Sequence, residues 1–101
     1  MGIEYACDVV GTGDFRSAIS SGLHDDPCVE LLPSSDACLI KLRFRETPRR
    51  EEWPEDVDVT FEPMRIAVVF HSATRQQRQY LVQLLENLLL EAGCSGKLVE
   101  Q

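Results

Sequence analysis

The stretch DVDVTFEPMRIAVVFHSATRQQRQYLVQLLENLLLEAG, residues 56–93, contains the strongest structural signals in the chain. In residues 56–62 apolar side chains alternate with polar ones, which is the pattern of a strand with one buried face. Residues 66–70 form a nearly continuous apolar run, which is typical of a strand near the middle of a sheet. The interruption at Pro63 leaves open whether residues 56–71 form two strands or one bent strand.

An amphipathic helix is predicted to follow these strands. Residues 74–77 fit a capping box, in which Thr74 caps the amide of Gln77 and the Gln77 side chain returns to the backbone of Thr74. Gly93 stands where a glycine commonly ends a helix. Between them, apolar residues recur at three- and four-residue spacing and form a broad stripe that is expected to cover the sheet. The stripe consists of Tyr80, Leu81, Leu84, Leu85, Leu88, Leu89 and Ala92.

The N-terminal half adds a strand, a helix and a hairpin. Residues 3–10 alternate as a half-buried strand, and Asp14 is a candidate N-cap for a short helix. Gly22 is expected to end that helix. Residues 28–32 and 37–45 form a candidate hairpin, because the turn-forming residues Pro, Ser, Ser and Asp separate them.

The second strand of that hairpin is cationic on its polar side, whereas the strand in residues 56–62 is anionic. If the two pair antiparallel, one register places Arg45 opposite Asp56 and Arg43 opposite Asp58. Opposite charges would then meet across the ladder, which is favourable for strand pairing. We expect this register or a near neighbour.

With a short edge strand near residues 98–99, the order is strand, helix, four strands, helix, strand. Two helices packed on one face of a mostly antiparallel sheet of five to six strands would bury both apolar helix stripes. The sequence therefore predicts a single compact α+β domain over residues 1–101. This order resembles the ferredoxin-like arrangement, expanded by one extra hairpin.

Composition and charge exclude several classes of protein. The chain has 101 residues, with 10 Lys and Arg against 17 Asp and Glu, and the formal charge of −7 opposes attraction to nucleic acid or anionic lipid. The apolar runs are shorter than the roughly 18 residues of a membrane span. Four cysteines without a CxxC spacing, and no secretory signal, predict reduced thiols and a cytoplasmic protein. Cys7 and Cys38 are expected to be buried and inert.

Residue patterns for catalysis or metal binding are weak. The GTG sequence at residues 11–13 lacks the third glycine of a phosphate-binding turn, and Asp14 stands where the anion would lie, which indicates a plain turn. His24 and His71 lack zinc-ligand spacing. Cys94 follows the C-terminus of a helix, whose dipole opposes a thiolate. We expect no enzymatic activity, no cofactor and no metal.

Charge is distributed unevenly along the chain. Residues 41–50 carry five basic side chains against one acidic, residues 51–62 carry six acidic side chains, and residues 1–36 carry seven acidic against one basic. The first two segments can neutralise each other, but the third keeps its negative charge. Some acidic surface is therefore expected to remain for a partner.

The single tryptophan lies in the middle of the longest predicted loop. Trp53 has acidic neighbours on both sides, and an aromatic side chain ringed by carboxylates is typical of a binding hot spot for a basic partner. Alternatively, the ring covers the edge of a small core, which is the simpler interpretation. Including the acidic turn after the first helix, the candidate partner-binding residues are Glu51, Glu52, Trp53, Glu55, Asp25 and Asp26.

The sequence thus predicts a small acidic protein-binding domain with a basic protein partner. In size and charge it is similar to the immunity proteins of bacterial polymorphic toxin systems, which implies an inhibitor of a basic toxin enzyme. Eight Arg against two Lys indicate a GC-rich coding sequence, which favours a bacterial source. One alternative is a self-associating domain that forms a homodimer through its open sheet face or edge around a small ligand. The third is a small enzyme of unknown chemistry.

Overall fold

In the computed structural model, which describes residues 2–48 and 54–101, the chain forms a six-stranded sheet, a two-stranded sheet and two helices. The strands, in chain order, are β1 (Ile3–Asp8), β2 (Val10–Gly11), β3 (Val29–Leu32), β4 (Leu39–Phe44), β5 (Val57–Glu62), β6 (Arg65–Phe70), β7 (Cys94–Ser95) and β8 (Val99–Glu100). Helix α1 (Phe15–Asp25) lies between β2 and β3, and helix α2 (Arg75–Glu91) lies between β6 and β7.

The main sheet has the strand order β3-β4-β5-β6-β1-β8, and every pair of neighbours is antiparallel. Strands β1 and β3 are therefore parallel, as are β6 and β8, and each helix connects two parallel strands that have other strands between them. This is the split βαβ arrangement. The α+β fold with an expanded ferredoxin-like order is confirmed. Strands β2 and β7, which pair with each other, were not predicted.

Both helices pack against the same face of this sheet. That face and the helices together form one apolar core, while the opposite face of the sheet has no helix over it among the described residues. Burial of these apolar side chains is the main driving force that holds the layers together. The fully buried members include Ile19, Leu23, Leu42, Val57, Val59, Ile66, Val68, Leu81, Leu85 and Leu89.

Residues 56–71 form two strands, joined by a tight turn at Pro63 and Met64. As predicted, β6 lies inside the sheet, between β5 and β1. Its apolar run alternates in burial, however, because the helices cover only one face. Ala67 and Val69 point to the opposite face and are half-buried.

Helix α1 begins as predicted but ends later. The Asp14 side chain accepts a hydrogen bond from the Ser17 backbone amide at 3.2 Å, which confirms the N-cap. The predicted end at Gly22 was wrong, because the helix continues to Asp25. A Cβ atom at Gly22 would overlap the methyl groups of Leu88, so this glycine lets α1 and α2 approach closely.

The capping box of α2 is confirmed. The Gln77 amide donates to Thr74 Oγ1 at 3.1 Å, and the Thr74 amide donates to Gln77 Oε1 at 2.9 Å. At the other end, Gly93 has a positive φ of 77°, which suits a glycine after a helix C-cap. These two signals place α2 where the sequence predicted it.

The turn at residues 11–13 packs against the C-terminal end of α2. A Cβ atom at Gly13 would overlap the Ala92 carbonyl oxygen, and Gly11 adopts a φ of 132° where it pairs with Cys94. Both glycines therefore allow close contact between backbones. This agrees with the interpretation of the GTG sequence as a plain turn.

The register between β4 and β5 differs by two residues from the one named and is the neighbouring register that keeps the same faces. Lys41, rather than Arg43, lies opposite Asp58, and Arg45 is not opposite Asp56. A shift of two residues keeps every side chain on its predicted face. The cationic and anionic strands are still neighbours, as expected.

The buried carboxylate of Asp56 accounts for this register. Asp56 is 0% exposed, and its Oδ2 atom accepts a hydrogen bond from the Phe44 amide at 2.9 Å, while its own amide donates to the Leu42 carbonyl at 2.8 Å. Arg43 lies opposite Glu30 of β3 instead and forms an ion pair with it at 3.4 Å. The carboxylate of Asp56 thus accepts a hydrogen bond from β4 that a backbone carbonyl of the neighbouring strand would otherwise accept.

Candidate interaction surface

An open cavity of about 450 Å³ lies between the first turns of α2 and the adjoining ends of β3 and β4. Its apolar walls are Pro27, Phe44 and Tyr80. A cavity of this size accepts a small ligand or an inserted side chain. The remaining lining residues are Cys28, Arg45, Glu46, Gln76 and Gln77.

Tyr80, which lines this cavity, is hydrogen-bonded to Asp26, the residue before the lining residue Pro27. The Tyr80 hydroxyl donates to Asp26 Oδ2 at 2.6 Å, and Asp26 Oδ1 accepts from the Cys28 amide at 2.8 Å. Donation to this carboxylate raises the pKa of the Tyr80 hydroxyl well above its ordinary value, and partial burial acts in the same direction. The prediction that Tyr80 belongs to the buried stripe was wrong, since its side chain is 41% exposed.

A second carboxylate at the cavity is held in a similar way. Glu46 Oε1 accepts a hydrogen bond of 2.6 Å from the Gln77 side-chain amide. Arg45, the one cationic residue among the described residues that line the cavity, donates from Nε to the Val29 carbonyl at 3.1 Å. Among the described residues, neither Asp26 nor Glu46 has an ion-pair partner.

An uncharged groove of about 460 Å³ continues from the cavity along α2. It shares Gln76 and Tyr80 with the cavity, so Tyr80 lies between the two depressions. Protein interfaces are typically depleted in charge at their centre and enriched in tyrosine. The other residues that line the groove are Gln79, Gln83, Leu84 and Asn87.

The predicted partner-binding residues fall into three groups. Asp26 is bonded to the cavity residue Tyr80, and Asp25 is an exposed neighbour at the end of α1. Glu55 is half-buried, and no hydrogen bond or ion pair between described residues joins it to either aspartate. The remaining three lie outside the described residues, so both interpretations of the tryptophan stay predictions. These three are Glu51, Glu52 and Trp53.

The four cysteines are free thiols in different surroundings. Cys7 and Cys94 are buried, and burial raises the pKa of the Cys7 thiol. The predicted burial of Cys7 is therefore confirmed, whereas Cys38 is only half-buried, with its Sγ atom 3.8 Å from Arg16 Nη1. Cys28 is exposed and lines the cavity.

Away from the cavity, His71 Nε2 lies 2.8 Å from Asp58 Oδ2 on the open face of the sheet. No group of three or more potential metal-ligating side chains occurs in residues 2–48 and 54–101. In the same ranges, neither helix is long and apolar enough to cross a membrane.

Sequence reasoning missed Tyr80, Phe44 and Gln77 as residues that line the cavity. Tyr80 was assigned to the core, although a tyrosine in an apolar stripe needs a partner for its hydroxyl group. Phe44 and Gln77 were recognised only for their roles in a strand and a helix cap. The partners of all three come from other elements, which a local pattern does not reveal.

Comparison with known proteins finds no match: no family model, no curated protein and no solved structure is significantly similar to this chain.

Proposed function

We propose that this domain binds a basic protein partner, and that the cavity and its acidic edge are the contact site. One observation carries the proposal: Glu46 lines a cavity with apolar walls, Asp26 is bonded to the lining residue Tyr80, and the two carboxylates accept hydrogen bonds from the neutral donors Gln77 and Tyr80. A neutral donor fixes a carboxylate in place without cancelling its charge. The edge is thus arranged to attract a cation.

The chemistry of the cavity suits an arginine or lysine side chain. The aliphatic part of such a side chain can pack on Pro27 and Phe44 while its charged end reaches a carboxylate. The Tyr80 ring can also contact the cation through its face. The formal charge of −7 would steer a basic protein toward the domain before contact.

Within this class, we propose an immunity function. A basic enzyme that acts on nucleic acid has a cationic cleft, and an acidic domain can cover it without any chemistry of its own. The candidate partner is therefore a bacterial toxin enzyme such as a nuclease, and the domain acts as its inhibitor.

The test begins with capture of a partner from an extract of the source cells on the immobilised domain. After the captured protein is identified and purified, its association rate is measured over a range of ionic strength. We expect the rate to fall at least about tenfold as salt screens the charges. Glu46→Gln removes one charge at the cavity and should slow association, whereas Glu91→Gln at the distant end of α2 should not. Simultaneous charge reversal at Glu51, Glu52 and Glu55 tests the loop separately.

Association that is insensitive to salt and to Glu46→Gln would contradict the proposed contact site. The immunity function has a separate readout. If the captured protein is a nuclease, one equivalent of the domain should abolish its activity. Unchanged activity in the complex would reject inhibition while leaving the binding function standing.

A further inference from the structure

The open face of the main sheet carries a row of uncharged side chains. This face is the one opposite the helices, and the row crosses five strands, with one residue from each of β4, β5, β6, β1 and β8. All five residues point away from the helical layer because side chains alternate along a strand. The row consists of Leu39, Thr60, Ala67, Ala6 and Val99.

The adjacent row carries opposite charges at its two sides. Lys41 on β4 and Glu4 on β1 lie in this row, with Asp58 and Val69 between them. Asp58 is already bonded to His71. Neither Lys41 nor Glu4 has an ion-pair partner among the described residues.

The two charges occupy symmetric positions in the sheet. With six strands, the centre lies between β5 and β6, and β4 and β1 are each the second strand from it. Consider a two-fold axis that runs parallel to the strands and lies above this centre. It would place a second copy face to face with the first, with β1 of the second copy over β4 of the first. Lys41 would then face Glu4 of the second copy, and Glu4 would face its Lys41.

Two further rows are compatible with the same axis. In the uncharged row, Leu39 would face Ala6 of the second copy, so a large side chain meets a small one. In the row at the end of the β5–β6 hairpin, Glu62 already pairs with Arg65 of its own chain at 3.6 Å, and it would also face Arg65 of the second copy. A two-fold interface requires such self-complementarity, because the same patch serves both copies.

From this complementarity we propose that the open face is a homodimer interface, in which two sheets pack face to face with Lys41 of each copy paired to Glu4 of the other. Packed sheets lie about 10 Å apart. The outer strands of the face are about 24 Å apart, and its flat area is about 450 Å² on each copy. The two copies together would bury about 900 Å², which is the size of a weak contact, so the charge pairs decide whether it forms. The proposal does not depend on the cavity or its partner.

A charge exchange tests the pairing directly. Sedimentation velocity over a concentration series should show a dimer for the unaltered protein. Lys41→Glu and Glu4→Lys each place two like-charge pairs at the interface, and each should raise the dimer dissociation constant about 10- to 100-fold. A mixture of these two variants restores two attractive pairs and should form a mixed dimer, which native mass spectrometry identifies by its mass. The double variant should also dimerise.

The matched control is Glu91→Lys, which changes the same charge on the helical side and should leave the dimer intact. Recovery in the mixture also shows that both single variants are folded. A monomer at every concentration for the unaltered protein would overturn the proposal. So would single variants that dimerise as well as the unaltered protein, or a mixture that fails to recover the dimer.

Discussion

The hydroxyl group of Tyr80 donates a 2.6 Å hydrogen bond to the carboxylate of Asp26, 54 residues earlier in the chain. This bond ties the middle of the long helix to the turn that follows the first helix. Tyr80 also lines the cavity, so the bond links the stability of the domain to the shape of its candidate binding site.

Replacement of Tyr80 by Phe should remove this bond and lower the free energy of unfolding by about 1 kcal/mol at pH 7. The pKa of Tyr80 is raised in the folded state, so its stabilising effect is complete below its ordinary pKa of 10.0 and is lost as the pH rises above that value. The difference between Tyr80→Phe and the unaltered protein should therefore shrink at strongly alkaline pH. Urea unfolding at several pH values measures it, and a constant difference would contradict the assignment.

The stabilising effect of the Asp14 cap on α1 should depend on pH in the opposite direction to that of Tyr80. Hydrogen bonds from Ser17 lower the pKa of Asp14 below its ordinary value of 3.8. Its stabilising effect is thus present above that pH and is lost as the carboxylate is protonated below it. Asp14→Ala should be less stable than the unaltered protein at pH 7, and the difference should shrink below about pH 4. Asp14→Asn keeps a capping oxygen and should stay closer to the unaltered protein at pH 7.

Gly13 and Gly93 both lie near the Ala92 carbonyl, but alanine at the two positions should lower the free energy of unfolding by different amounts. At Gly13, an added methyl group would meet backbone that cannot move aside, so Gly13→Ala should destabilise the domain by about 3 kcal/mol. Gly93 has open space around it but a positive φ, so Gly93→Ala should cost only about 1 kcal/mol. Thermal unfolding of both variants measures the contrast, and equal costs would mean that the overlap at Gly13 is easily relieved.

Thiol labelling should distinguish the four cysteines. A maleimide reagent should modify Cys28 first, because its thiol is exposed, and Cys38 more slowly, because its thiol is half-buried. Cys7 and Cys94 should react at least about a thousandfold more slowly than Cys28, at a rate that follows the population of open or unfolded molecules. Mass spectrometry of the labelled peptides gives the order. A bound partner that occupies the cavity should protect Cys28, and labelling unaffected by the partner would contradict that location.

Much of the fold could be predicted because its signals are local. The alternation in residues 56–62 and the capping box at Thr74 and Gln77 involve neighbours within a few positions, and their structures follow from backbone geometry. Gly22 misled the prediction for a physical reason. Glycine commonly ends helices, but here it serves the contact with Leu88 on the other helix.

The strand register and the site depend on contacts between distant parts of the chain. Charge pairing alone favoured Arg43 opposite Asp58, whereas the buried side chain of Asp56 binds the Phe44 amide and sets a different alignment. Likewise, the acidic turn at Asp26 could be recognised as a candidate surface, but nothing in the local pattern pointed to its contact with Tyr80.

The edges of the main sheet limit how other chains can meet it. One edge, β3, has only four residues and is bracketed by Pro27 and Pro33, while the other, β8, has two. Unpaired edge backbone is the usual template for fibril growth, and prolines and short edges block it. The domain should therefore resist amyloid-like polymerisation. An extended peptide would also find few unpaired backbone groups with which to add a strand to the sheet. Recognition of any partner must then come from side chains, which ties its specificity to the sequence of the domain's surface.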